Sequence, residues 1–360
     1  MKEVYSNRNN LPGYYEWLES RGIAVSEQEK DSTFWHPVQI ARDNGDCDAQ
    51  LAKAAYYLDN LKNPIKEISA HYFMATCFYA QGKMTEALFH YDFITTKPNN
   101  NYFTEALKYA GEITFQEMKY KLALSHFSTL ENVGVSQEDL SIAKKGQLYC
   151  FHHLNNPQST IKYAKKVLTI DDINAKTEED AYLFLGQSYK EVGQVDSAEQ
   201  FFKKVLLLTK SIAAAEAKYS ICEIYFNKKD HTACESQIME LVQQKPSYDY
   251  WLAKGIILLG DNFTALEDYF NAKHSLNSII ENYDGPEKEL IISEAIQKLE
   301  YVQNLELIEQ NSEPEQQEME IEFNNVDPDD QKLFEDQPNQ DNQENLEDIN
   351  QNDDNENNEK

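Results

Sequence analysis

An all-α solenoid of stacked helical hairpins is the fold class this sequence predicts, and a fixed period with a recurring apolar register predicts it. Six times along the chain a small residue is followed twelve positions later by a second small residue, and the unit recurs every 36 to 38 residues. The first members are Ala75, Gly111, Leu148, Gly186, Cys222 and Gly260, with Leu148 the oversized exception. Their partners are Ala87, Ala123, Thr160, Ala198, Cys234 and Ala272. A period of this size means helical pairs laid side by side, because one hairpin cannot bury its apolar face alone.

The elements follow in order. Residues 1–30 are a lead-in whose Pro12 to Gly22 stretch reads as a short helix stopped by glycine, with Tyr14, Trp17 and Leu18 on one face. Residues 31–66 read as a degraded copy of the unit. Asn44-Gly45-Asp46 supplies its turn, Ala54 and Tyr57 its second helix, and Gln50 stands where the other copies carry a small residue. Six fuller units occupy 67–284. The first reads Tyr72, Met74, Ala75, Phe78, Gly82, Ala87 and Tyr91, then Lys97-Pro98, where proline blocks further helix. The second reads Leu107, Ala110, Gly111, Tyr120, Ala123 and Phe127, and the third, weaker, Leu148, Phe151, Pro157, Ala164 and Val167.

The fourth unit is the clearest: Tyr182, Leu185, Gly186, Tyr189, Gly193, Ala198, Phe202 and Val205. Gly186 and Ala198 are small so that two antiparallel helices approach where they cross, with Leu185, Tyr189 and Phe202 filling the layer on either side. Gly193 ends the first helix by accepting a left-handed backbone. Ile221, Cys222, Tyr225, Cys234 and Ile238 mark the fifth unit, and Leu259, Gly260, Phe263, Ala272, Leu276 and Ile279 the sixth. Over 285–309, Pro286 opens a capping helix with Leu290, Ile292, Ala295, Ile296, Leu299 and Val302 at helical spacing and a charged opposite face.

Composition then changes. Residues 311–360 hold 18 Asp and Glu against two Lys, and 18 more positions are Asn or Gln. Too little apolar area is present to offset ordering entropy, so 310–360 is expected to be a disordered acidic tail. It carries −16 of the net charge of −29. Neither the tail nor an acidic body offers the basic groove that counterion release requires, which disfavours nucleic acid and anionic membrane as partners.

No run of eighteen apolar residues occurs, so no membrane insertion is expected. Met1-Lys2 is followed by polar residues without an apolar core, so the expected compartment is the cytoplasm. The five cysteines read as packing residues: Cys77 and Cys150 share one repeat position, Cys222 and Cys234 are crossing positions, and Cys47 lies in a turn. Odd number and repeat position argue against disulfides.

No Gly-rich phosphate loop, Gly-x-Ser-x-Gly, His-Glu-x-x-His or Cys-x-x-Cys is present, so no catalytic residue, cofactor or metal site is assigned. Cys150-Phe151-His152-His153 lacks convincing further ligands and reads as a packing cysteine beside helix-surface histidines.

The fourth unit resembles the tetratricopeptide repeat, its eight residues falling on that family's signature positions in register, and the resemblance extends over roughly 67–284. Taken whole, the chain is similar to the C-terminal part of long tetratricopeptide proteins of Bacteroidetes-type bacteria. Such relatives often carry export signals, which makes the periplasm or cell envelope the alternative location should upstream sequence be missing.

The resemblance implies a right-handed superhelical α-solenoid of about six to seven hairpins whose inner helices face a concave groove. Projecting the register gives Tyr72, Phe73, Tyr79, Lys108, Tyr109, Glu112, Phe115, Lys145, Tyr149, His152, Phe184, Gln187, Lys190, Tyr219, Glu223 and Phe226 as groove candidates. Their aromatic bias suits peptide recognition, since Tyr and Phe offer large contact area with few rotors to freeze. Some relatives grip a C-terminal carboxylate with Lys and Asn. Here the asparagines are missing and Glu112 would repel a carboxylate, which favours an extended or helical apolar segment.

The expected function is therefore a non-enzymatic adaptor binding a peptide segment of a protein partner. The alternatives are a structural or envelope-assembly component acting through lateral contacts and, behind it, an enzyme with an unrecognised site.

Overall fold

The computed structural model describes residues 4–5 and 10–312 of the 360. The described residues through Lys298 belong to one compact unit, and Leu299–Ser312 is the described part of a second. The expected acidic tail lies, beyond Ser312, outside the described residues.

Sixteen helices follow one another from Leu11 to Ser312, with no strand among the described residues. They are α1 (Leu11–Ser20), α2 (Glu27–Asp43), α3 (Cys47–Asn60), α4 (Glu67–Ala80), α5 (Met84–Thr95), α6 (Phe103–Gln116), α7 (Tyr120–Val133) and α8 (Gln137–His153). There follow α9 (Pro157–Val167), α10 (Ala175–Glu191), α11 (Val195–Leu208), α12 (Ile212–Asn227), α13 (His231–Gln243), α14 (Asp249–Ala265), α15 (Tyr269–Asn282) and α16 (Lys288–Ser312). From α2 to α15 each helix packs on the next in sequence, and the first helices of consecutive pairs also touch, α6 on α8, α8 on α10, α10 on α12 and α12 on α14. An inner layer of first helices results, as the sequence predicts.

Helix starts are local in origin. Ser26, Asp46, Ser136, Asn156, Asn174, Asp230 and Asp268 each accept an N–H from the first turn of the helix that follows. The turns inside the pairs are more regular than their sequences. Gly45, Gly82, Met118, Asn155, Gly193, Lys229 and Glu267 all have φ between +51° and +77°, at intervals of 36 to 38 residues. Gly82 and Gly193 adopt this backbone freely. Met118, Lys229 and Glu267 adopt it at a steric cost that the flanking helix pairs impose.

The crossing positions are packed against one recurrent partner. A methyl group on Gly111 would sit 2.8 Å from the Phe127 ring, one on Gly186 2.5 Å from Phe202, and one on Gly260 2.9 Å from Leu276. Ala75, Ala87, Ala123, Ala198, Cys222, Cys234 and Ala272 are all fully buried. Leu148, the oversized member, is fully buried too. Two residues earlier, Gly146 makes a close approach to the preceding pair instead, where an added methyl would meet Phe127 of α7 at 2.5 Å. Gln50, in place of a small residue, is buried with its side-chain amide donating to the Phe73 carbonyl at 2.8 Å. The amide thus serves a backbone acceptor of the next pair.

The cysteine reading needs correction. Cys47 and Cys77 form a disulfide, with Cα atoms 5.4 Å apart. Cys47 opens α3, and α3 packs on α4, which carries Cys77. Repeat position keeps Cys47 and Cys77 in separate units, whereas stacking brings the start of one helix against the next one. Cys150, Cys222 and Cys234 are free and buried. Burial pushes the first two thiols up to about 12 and Cys234 to about 11, which leaves them protonated near neutral pH.

Among buried polar side chains, His71 of α4 and His90 of α5 meet Nδ1 to Nδ1 at 2.9 Å. Phe93 stacks on His71 at 3.8 Å between centroids, and Phe78 lies parallel to His90. Burial, with some repulsion from His90, holds the His71 imidazole down at about 4, and burial lowers His90 as well.

Candidate functional site

The inner helices α4, α6, α8, α10 and α12 carry every expected groove residue, but the structure gives those residues different work. Phe73 is buried, stacked on Trp35 at 5.5 Å with the Arg42 guanidinium 5.0 Å from its ring centre. Phe184 is buried against His152, ring to ring at 3.6 Å, and edge-on to Tyr149 at 5.7 Å. These two rings and His152 join neighbouring repeats rather than face a groove. Burial and the adjacent His153 lower His152 to about 4.

Tyr72 stacks on Tyr102 at 4.0 Å, and Tyr79 leans on Tyr109 at 4.9 Å, its pKa raised by burial and by the nearby Glu112 carboxylate. Tyr72, Tyr79 and Tyr109 stay half-buried. Farther along, Lys190 pairs with Glu223, which also accepts from the Tyr219 hydroxyl at 3.2 Å. Gln187 donates to Glu216, and Phe226 meets His231 edge-on at 6.1 Å.

The structure brings Lys108, Glu112, Phe115, Lys145 and Tyr149 together. They line a cleft of about 420 Å³ between α6 and α8. Phe127, Ile142 and Gly146 complete it, and the register projection did not assign these to the groove. Phe127 comes from α7 and forms part of the lining because glycines stand opposite it on both inner helices. A lone glycine inside a helical window, as in Lys144-Lys145-Gly146-Gln147, is the sequence signal that could have pointed there.

Electrostatics divide the inner face. The Tyr149 hydroxyl donates to Asp180 at 2.7 Å, and burial with this bond raises its pKa. Lys254 pairs with Glu294 and Lys298 with Asp261, so α16 is tied to α14 by two ion pairs. Burial raises Asp261 despite the Lys298 ammonium. In the α6/α8 cleft the lysines are less well matched. Lys108 reaches Glu138 at 3.8 Å and lies 5.6 Å over the Tyr109 ring, while Lys145 has no ion pair or hydrogen bond among the described residues.

Among the described residues no group of three or more His, Cys, Asp or Glu is placed to hold a metal ion, and no helix is long and apolar enough to cross a membrane. The cleft can therefore be described chemically as an apolar, aromatic-walled recess with a cationic rim.

No family model matches the chain, and no curated protein matches it either. Solved structures do. The C-terminal part of a TPR repeat-containing protein from Cytophaga hutchinsonii is 16% identical over 74% of this chain and 99% of that one, with a TM-score of 0.50. A tetratricopeptide repeat protein from Parabacteroides merdae is 15% identical over 74% of this chain and 98% of its own, with a TM-score of 0.39. The first likeness is one of fold: helical hairpins stacked as in tetratricopeptide repeats.

Proposed function

We propose that this tetratricopeptide-type solenoid is a non-enzymatic scaffold that holds a peptide segment of a protein partner on its inner face, centred on the α6/α8 cleft. One observation carries the reading. Five of the expected groove residues, Lys108, Glu112, Phe115, Lys145 and Tyr149, converge on an open recess of about 420 Å³, a size that suits small side-chain anchors. Buried aromatic pockets of this kind supply most of the affinity in peptide recognition, while the surrounding contacts exclude water.

The test is capture of a partner by the purified chain, compared with Phe115→Ala and Tyr149→Ala variants. Loss of the partner with helicity unchanged supports the groove. Retention by both variants refutes it.

A second reading, assembly through lateral contacts, is favoured by exposed apolar side chains on the outer helices: Phe89 at 65%, Leu207 at 88% and Phe270 at 75% exposure. A defined oligomer in light scattering, lost on Leu207→Glu or Phe270→Glu and insensitive to the groove variants, would favour that reading instead.

A further inference from the structure

The cleft between α6 and α8 differs from end to end. Lys108 and Lys145 hold the same place in consecutive repeats, and one helical turn later come Glu112 on α6 and Tyr149 on α8. Phe115 follows Glu112 by three residues, so lysines mark one end and aromatic rings the other. Phe127 and Ile142 supply the apolar floor, and Gly146 adds no side chain above it.

The lysines set this section apart. Elsewhere on the inner face cations are answered from within, Lys190 by Glu223, Lys254 by Glu294 and Lys298 by Asp261. Here Lys145 has no partner among the described residues, and Lys108 reaches only Glu138, whose side chain is 78% exposed. A pair that long and that open to water neutralises little. In a chain of net charge −29, Lys145 left unpaired beside an apolar recess is a cation available to a partner's carboxylate.

Resting on the groove reading above, we infer that the cleft selects an acidic-apolar segment of a partner protein. A Glu or Asp carboxylate sits at the Lys108 and Lys145 end, and an aromatic or aliphatic side chain two residues along lies against the Phe115 and Tyr149 rings. The spacing follows from geometry. Four residues separate Lys145 from Tyr149, a rise of about 6 Å along the helix. Side chains two apart on an extended peptide are separated by about 6.7 Å. The recognised core is thus Glu-x-Phe in extended form. Glu112, one turn beyond Lys108, repels a second acid at the anchor position and gives the site its polarity.

The experiment uses the full chain and fluorescein-labelled nonapeptides that differ only in a central Glu-Ser-Phe, Gln-Ser-Phe, Lys-Ser-Phe or Glu-Ser-Ser core, read by anisotropy. Glu-Ser-Phe is expected to bind about tenfold more tightly than Gln-Ser-Phe at low salt, with Lys-Ser-Phe weaker still. Lys145→Ala should erase most of the difference between the Glu and Gln peptides, and Phe115→Ala should weaken both. Circular dichroism melts confirm that each variant is folded.

Equal affinity for the Glu and Gln peptides, with both lost in Phe115→Ala, would overturn acid selection while leaving the groove reading intact. Absence of binding by any peptide, or binding indifferent to both substitutions, would overturn the two together.

Discussion

Gly146→Ala sets two physical effects of opposite sign against each other. Gly146 lies inside α8, a helix of 17 residues, and in an open helix interior alanine is favoured over glycine by about 0.5–1 kcal/mol. The structure reverses that expectation. An added methyl would stand 2.5 Å from Cδ2 and Cγ of Phe127, far inside contact distance. The ring is held on its other edge as well, 2.8 Å from where a Cβ on Gly111 would be, so it can yield only toward the open cleft. Overpacking of this kind costs about 1–3 kcal/mol, so the net effect should be a loss of about 0.5–2 kcal/mol.

Urea denaturation followed by circular dichroism measures this as a fall in midpoint of the transition that unfolds these repeats. The companion variant is Phe127→Leu, alone and with Gly146→Ala. The smaller side chain should relieve the clash, giving a favourable coupling energy between the two sites. A Gly146→Ala protein more stable than wild type, or a double variant whose losses simply add, would show that Phe127 and Gly146 are not pressed together as described.

Three further outcomes are expected. Thiol titration of the denatured, unreduced protein should count three free cysteines, and Cys47→Ser should cost about 3–4 kcal/mol in the N-terminal hairpins, since the bridge spans 30 residues; five titrating thiols would refute the bridge. The depressed His71 pKa, about 4 against 6.5 unfolded, means the unfolded chain binds the extra proton between those values, so stability should fall by about 3 kcal/mol as pH drops from 6.5 to 4. A joint His71→Leu and His90→Leu variant should lose most of that pH dependence, and an unchanged slope would exclude the pair as its source. Met118→Gly should stabilise by about 0.5–1 kcal/mol, because φ of +59° strains a methionine that is 73% exposed and packs little; a lower midpoint would contradict this.

Much of the repeat was legible in the chain because its signals are local. Ala198, Gly186 and Phe202 advertise a close crossing through size alone, and Gly82 and Gly193 mark turns because glycine takes positive φ without a penalty. Met118, Lys229 and Glu267 make the same turn with no such mark, since the flanking helices impose the backbone on them. The groove was legible only in part. Register placed Lys108, Phe115, Lys145 and Tyr149 on the inner face, but one position decides between groove and core, as the burial of Phe73 and Phe184 shows.

By itself, then, the sequence determined the helical period, the stacking class and the face on which charge and aromatic residues would gather, all of which depend on spacing along one chain segment. Only the tertiary structure decided which pairs meet across segments: Phe127 against Gly146, Cys47 against Cys77, His71 against His90, and which lysines find a carboxylate. Those contacts depend on how far each hairpin is rotated and shifted on its neighbour. Displacements of an ångström or two, invisible in a residue pattern, settle them.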